Sequence, residues 1–220
     1  MEASRLYVSV PVAGFRVAQA REYWETYPLS PPATVYGMLL SLVGEPDRLA
    51  HTGAELALAL VSEPNRSVVL RTLWRVKDKK SGPGIGPNKR PDFQELLSDV
   101  VLSVWVRRGE AEKAASPLFD RLTAALASPA DINRFGGLSL GESTHLVNEV
   151  RRWNGKDPAE GRLLVQHDDG DLSLPVWPDH VGSIGTRWAQ YRLAERGPLP
   201  DPLPEAAWTV IRPPEAADAP

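Results

Sequence analysis

The chain has 220 residues, 42% of them apolar, with a formal net charge of −3 and no cysteine. That length and apolar content suit one large domain or two small ones built around a real core. Disulfide frameworks and thiolate metal sites are excluded, and so is a globally basic nucleic-acid binder.

Arg5 to Phe15 alternates Leu6, Val8, Val10 and Val12 with Tyr7, Ser9 and Pro11 and reads as a strand. Residues 16–27 are polar and aromatic and read as a long loop. A helix is expected next, with Ser30 as N-cap, Pro31 and Pro32 in the first turn and Gly44 as the stop. Val35, Met38, Leu39, Leu42 and Val43 share one face of it. Strands follow at Glu55 to Ser62 and Val68 to Val76, turned by Pro64-Asn65. Lys77 to Pro91 is too rich in Gly and Pro for regular structure and too basic to bury, so a mobile tip is expected there. A short helical turn is expected at Asp92 to Leu97, a strand at Asp99 to Arg107, and a helix at Glu110 to Ala127 with a restart at Ser116-Pro117. A glycine-rich stretch then leads into a strand through Glu142 to Val150. Strands dominate the remainder, at Gly161 to Gln166, Leu172 to Trp177, Trp188 to Leu193 and Trp208 to Ile211.

The order of a strand, a helix, two strands, the tip, a further strand and a helix resembles a split β-α-β arrangement. The expected fold class is α+β. A ferredoxin-like, RRM-like sheet spans 1–150, with a basic hairpin at about 70–100 and a glycine-rich loop at 134–145. A small β-rich C-terminal lobe over 151–212 and a flexible tail over 213–220 follow. No apolar run approaches 18 residues and no secretory leader is visible, so a cytoplasmic protein without membrane contact is expected. The four histidines, His51, His145, His167 and His180, form no close pair, so neither a metal nor a cofactor is expected.

Charge is uneven. Between Arg66 and Arg108 ten Lys/Arg face four Asp/Glu, which leaves −9 on the remainder and points to local binding by one basic segment. The most informative stretch is Arg134-Phe135-Gly136-Gly137-Leu138-Ser139-Leu140-Gly141-Glu142-Ser143-Thr144-His145. Its glycines permit positive φ, so backbone N–H groups can converge on a phosphate. The window also matches the G-x-S-x-G pattern of serine hydrolases, with Asp168, Asp169 and His180 in the order of the remaining triad members. A nucleophile elbow needs a buried strand before the serine and a helix after it, and neither is expected here.

A helix-free sheet face, a basic tip and a glycine loop together point to single-stranded RNA. Lys77, Lys79, Lys80, Lys89 and Arg90 are suited to phosphates, the loop supplies backbone donors, and Arg151 and Arg152 follow the next strand. Trp74 beside Arg75, and Trp153 beside Arg152, are candidates for stacking on bases.

Two stretches carry a resemblance to a known family. They are Tyr27-Pro28-Leu29-Ser30-Pro31-Pro32-Ala33-Thr34-Val35-Tyr36-Gly37-Met38-Leu39 and Gly137-Leu138-Ser139-Leu140-Gly141-Glu142-Ser143-Thr144-His145-Leu146-Val147. In this order and spacing they resemble the Cas-five family of CRISPR-associated proteins, the second being most similar to its DevS branch. The segment ending in Leu96 to Val104 resembles that family's thumb hairpin returning to the sheet. The resemblance covers about residues 5–150.

The resemblance implies a non-catalytic, RRM-like, repeat-associated subunit of type I Cascade, an RNA-guided surveillance complex. Such a subunit caps the 5′ handle of the guide RNA, touches the neighbouring backbone and large subunits, and meets target DNA through the complex. Carried over by position, Gly136, Gly137, Gly141, Ser143 and Thr144 line the handle, with His145 as a loop histidine beside them. Lys77, Lys79, Lys80, Lys89 and Arg90 form the thumb. Trp74 and Arg75 join the RNA-binding set, and Arg16, Arg134, Arg151 and Arg152 enter it on charge and proximity. One branch of the family cuts precursor guide RNA with a tyrosine and a Lys-His pair. No Lys-His dipeptide occurs here, which argues against that activity. A metal-independent endoribonuclease using His145 near Tyr36 is the alternative function, and a serine hydrolase acting through Ser139 is the second alternative.

Overall fold

The computed structural model describes residues 2–74, 76–134, 136–179 and 185–214. Its strands are β1 (Ala3–Ala13), β2 (Tyr23–Trp24), β3 (Glu55–Leu60), β4 (Asn65–Trp74), β5 (Lys89–Arg107), β6 (Glu149–Arg152), β7 (Glu160–Gln166), β8 (Leu172–Trp177), β9 (Arg187–Leu193), β10 (Gly197–Pro198) and β11 (Thr209–Val210). Two α-helices, α1 (Pro32–Leu42) and α2 (Leu118–Ala127), complete the α+β fold.

One sheet runs β6-β1-β5-β3-β7-β9-β8. In its first four strands α1 follows β1 and α2 precedes β6, which is the spatial order of a split β-α-β unit. Alternation dictates the core. Leu6, Val8 and Val10 of β1 lie with Val100, Leu102, Val104 and Val106 of β5 on the face that receives Leu39 of α1 and Leu118 and Leu122 of α2. Leu164, Leu174, Val176, Trp177 and Tyr191 join that same core. The opposite face is not left open. Ala57, Ala59, Trp105 and Leu163 are covered by Ala207 and Trp208. Beside them the Arg5 guanidinium lies 3.7 Å from the Trp153 ring centre and 4.5 Å from that of Trp105.

Several local expectations are corrected. Ser30 does not cap α1; its hydroxyl turns to the Pro31 carbonyl, and that same carbonyl takes the N–H groups of Thr34 and Val35. The N-cap is Pro31 itself, and neither Pro31 nor Pro32 carries an N–H. Helix α2 begins at Leu118, because the Glu112 carboxylate accepts the Leu118 N–H at 2.7 Å and residues 110–116 lead up to it without helix. The helical turn expected at Asp92 to Leu97 is strand: β5 runs unbroken for 19 residues, and β4 pairs with it from Asn65↔Ser98 to Trp74↔Lys89. Pro91 is tolerated because β1 pairs with β5 only as far as Leu97 and β2 only at Phe93 and Gln94, so no strand adjoins Pro91 on that side. Asp99 adopts φ 59°, a kink placed where β5 exchanges β3 for β4 as its neighbour. The strand expected from Glu142 begins only at Glu149, since 140–145 close on themselves.

Candidate functional site

The glycine-rich stretch folds as a small closed loop. Leu138 accepts the Val147 N–H and Leu140 donates to the His145 carbonyl, while both leucine side chains sink into the main core. Gly136 and Gly141 have φ of 75° and 101°, and a Cβ at Gly141 would lie 2.9 Å from the Gly14 carbonyl oxygen. That close approach fixes the loop on the end of β1. His145 completes the fixation from inside. Its ring is 8% exposed, and Nδ1 accepts the N–H groups of Gly14 (3.2 Å) and Glu142 (3.1 Å). Nδ1 is therefore the acceptor nitrogen, and burial holds the ring below its ordinary pKa. Gly136, Gly137, Ser143 and Thr144 remain exposed on the rim.

The base of the β4–β5 hairpin meets this loop. Glu142 accepts Arg71 Nη1 at 2.9 and 3.1 Å and Gln94 Nε2 at 2.7 Å, and Arg71 Nη1 also donates to Gln94 Oε1. Residues 16–27 close the third side. Glu95 accepts the Thr26 N–H, the Tyr23 hydroxyl and Arg66; burial opposes its charge, yet these bonds hold its pKa below the ordinary carboxylate range. Arg16 lies 4.2 Å over the Trp24 ring, and Arg71 stands 5.7 Å from the same ring. The structure thus brings Arg16, Gly141 and His145 to one end of the sheet beside the root of the basic hairpin.

The tip is held by one buried side chain. Asn88 Oδ1 accepts the N–H groups of Lys77 and Asp78, and Nδ2 donates to the carbonyls of Asp78, Ser81 and Gly82. Lys77, Lys79, Lys80 and Lys89 stay exposed around it. Arg90 donates to Asp92 at 2.7 Å, and its Nη2 has no partner among the described residues. Trp74 packs against Gly84, whose Cβ position lies 2.6 Å from the indole nitrogen, yet remains 73% exposed. Trp74, Leu70 and Phe93 form an exposed apolar stripe on the face opposite Arg71 and Gln94. Arg75 lies outside the described residues.

The other sequence candidates occupy different ground. Arg134, Gly137 and Arg152 line a groove of about 620 Å³ with Leu126 of α2, on the far side of the loop. Arg151 shares the opposite sheet face with Tyr7. It is gripped by Asp157 at 2.7 Å through both terminal nitrogens, and that bond raises its pKa above the ordinary value. Trp153 stacks on Arg5 within the protein. Ser139 forms a single bridge with Leu146, and turns, not a helix, follow it. His180 lies outside the described residues. Sequence reasoning missed Arg71, Gln94, Trp24 and Asn88. Asn88 in a Gly-Pro-Asn run was a usable turn signal; the others emerge only when β4, β5 and the loop are brought together.

An exposed rim of backbone and hydroxyl groups, beside the root of a hairpin whose tip carries exposed lysines, is chemically fitted to a polyanion. No family model matches the chain. A Myxococcus xanthus (strain DK1622) protein described as CRISPR-associated protein Cas5 is 47% identical over 191 residues, covering 86% of this chain and 89% of that protein. Among solved structures, a chain of a CRISPR RNA-guided surveillance complex superposes with a TM-score of 0.60 at 15% identity, over 90% of each chain. A crystal structure of a Cas protein superposes with a TM-score of 0.50 at 15% identity, over 93% of this chain and 98% of that one.

Proposed function

The chain belongs to the Cas5 family of CRISPR-associated proteins, and from that premise we propose that it is a non-catalytic RNA-binding subunit of a type I Cascade surveillance complex, capping the 5′ handle of the guide RNA. The observation that carries this reading is the junction of two segments distant in sequence, the glycine loop and the basic hairpin, through Glu142, Arg71 and Gln94. The loop rim binds the handle backbone by shape and hydrogen bonds. Lys77, Lys79, Lys80 and Lys89 neutralise its phosphates. Arg134 and Arg152, with Gly137, offer a second set of contacts in the groove behind the loop.

A structural role for His145 supports the non-catalytic reading. Its Nδ1 is occupied by two backbone donors, and Tyr36 donates its hydroxyl to the Arg48 carbonyl at 2.8 Å. These bonds give both groups structural roles, which supports a reading without proton transfer to RNA. Cleavage of repeat RNA without divalent metal, lost on His145→Ala, would overturn that part. The Leu70–Trp74–Phe93 stripe supports contact with a neighbouring protein subunit, because an apolar face on a projecting hairpin is costly to leave in water. Target DNA is met through the complex.

The test is crosslinking of the purified complex to guide RNA carrying 4-thiouridine in the handle. Crosslinked peptides from 134–145 and 77–90 are expected. Crosslinks confined to the strands β7 to β9 would refute the assignment.

A further inference from the structure

We propose that Glu142 is a positioning residue that locks the glycine loop to the root of the basic hairpin, so that both RNA-contacting parts act as one preset cradle; this rests on the RNA-binding reading above. Three observations carry it. First, Arg71, Gln94 and Glu142 form a closed ring in which each bonds to the other two, joining β4, β5 and the loop. Second, Gln94 is 3% exposed and its amide Nε2 donates to Glu142 at 2.7 Å, so removing Glu142 takes away the acceptor of a buried donor. The end of β1 packs on the same amide, the Cβ position of Gly14 lying 3.3 Å from Gln94 Nε2. Third, the loop is pinned a second time where the Gly14 N–H meets His145. The loop is held from the strand end by His145 and from the hairpin by Glu142.

The charge of Glu142 makes the inference testable. A carboxylate beside a polyanion's path repels it, so electrostatics alone says that removing the charge tightens RNA binding. Positioning says the reverse. Filter binding of labelled repeat-derived RNA to the purified complex compares Glu142→Ala with Glu142→Gln. Glu142→Ala is expected to weaken binding about tenfold, with the salt slope unchanged because every cation that meets a phosphate is still present. Glu142→Gln keeps an acceptor for Arg71 and Gln94 and is expected to restore affinity to within about threefold of wild type. Unchanged or tighter binding by Glu142→Ala overturns the proposal, and so does equal weakening by both variants.

If Glu142→Ala does not fold, Gln94→Met, which keeps the shape and cannot bond, carries the same comparison. Amide exchange at Ser143 and Thr144 separates this proposal from the functional reading. Faster exchange in Glu142→Ala but not in Glu142→Gln supports the lock even if wild type retains no RNA, whereas no change in either variant refutes it.

Discussion

Gly141→Ala is the sharpest perturbation of the loop. At φ 101° a side chain is strained in any surroundings, and here the new Cβ would lie 2.9 Å from the Gly14 carbonyl oxygen and 3.1 Å from His145 Nδ1. The backbone term costs about 1–2 kcal/mol. The carbonyl shares its peptide plane with the Phe15 N–H, which donates to Thr26 Oγ1 at 2.7 Å, and losing such a bond costs about 1 kcal/mol more. A total of about 2–3 kcal/mol follows. Gly136→Ala is the internal control. Its φ of 75° is strained, but nothing lies within 4 Å of its Cβ position, so only the backbone term of about 1–2 kcal/mol applies. Gly137→Ala meets only the Leu146 side chain at 3.0 Å, which can move aside. Urea unfolding of the three variants should therefore rank Gly141 well above Gly136, with Gly137 least. Equal midpoints for Gly141→Ala and Gly136→Ala would refute the account of the close approach.

Lys79→Glu with Lys80→Glu should weaken RNA binding and flatten its dependence on salt, by about 0.7 in log–log slope for each phosphate no longer neutralised; titration at several salt concentrations checks this. Asn88→Ala removes the side chain that ties Lys77, Asp78, Ser81 and Gly82 together. It should speed amide exchange at Lys77 and Asp78 and expose the tip to protease, while the global unfolding midpoint stays close to wild type. The depressed pKa of His145 gives a defined pH response. The folded state prefers the neutral ring, so the unfolded chain binds the extra proton, and stability falls as pH drops below the unfolded value of about 6.5. Comparing wild type with His145→Gln from pH 8 to pH 5 isolates this term from other groups; identical pH profiles would count against it.

Much of the fold is written in short-range pattern. The alternation of β1 and the apolar face of α1 appear where the residues place them, whereas Asn65, expected in a turn, already opens β4 opposite Ser98. The failures share a cause. Asp92 and Gln94 are polar yet almost fully buried in β5, and their partners Arg90, Arg71 and Glu142 include residues from other segments. Read alone, the stretch Asp92 to Leu97 looks like the first turn of a helix; only pairing with β4 makes it strand. Glu112 likewise looks helical, but its carboxylate is drawn to His51 and to the Leu118 N–H. The candidate site divides the same way. The lysine-rich tip and the glycine loop are visible because Lys, Gly and Pro carry local meaning. Their junction is not, because it depends on residues 71, 94 and 142 meeting in space.

The central claim is the capping of one RNA end. Purifying the tagged chain from its own host and sequencing the 5′ ends of the RNA that accompanies it tests that claim most directly. Capping predicts short RNAs sharing a single repeat-derived 5′ end, in a particle with several other proteins. RNA of scattered 5′ ends, or none at all, would contradict it.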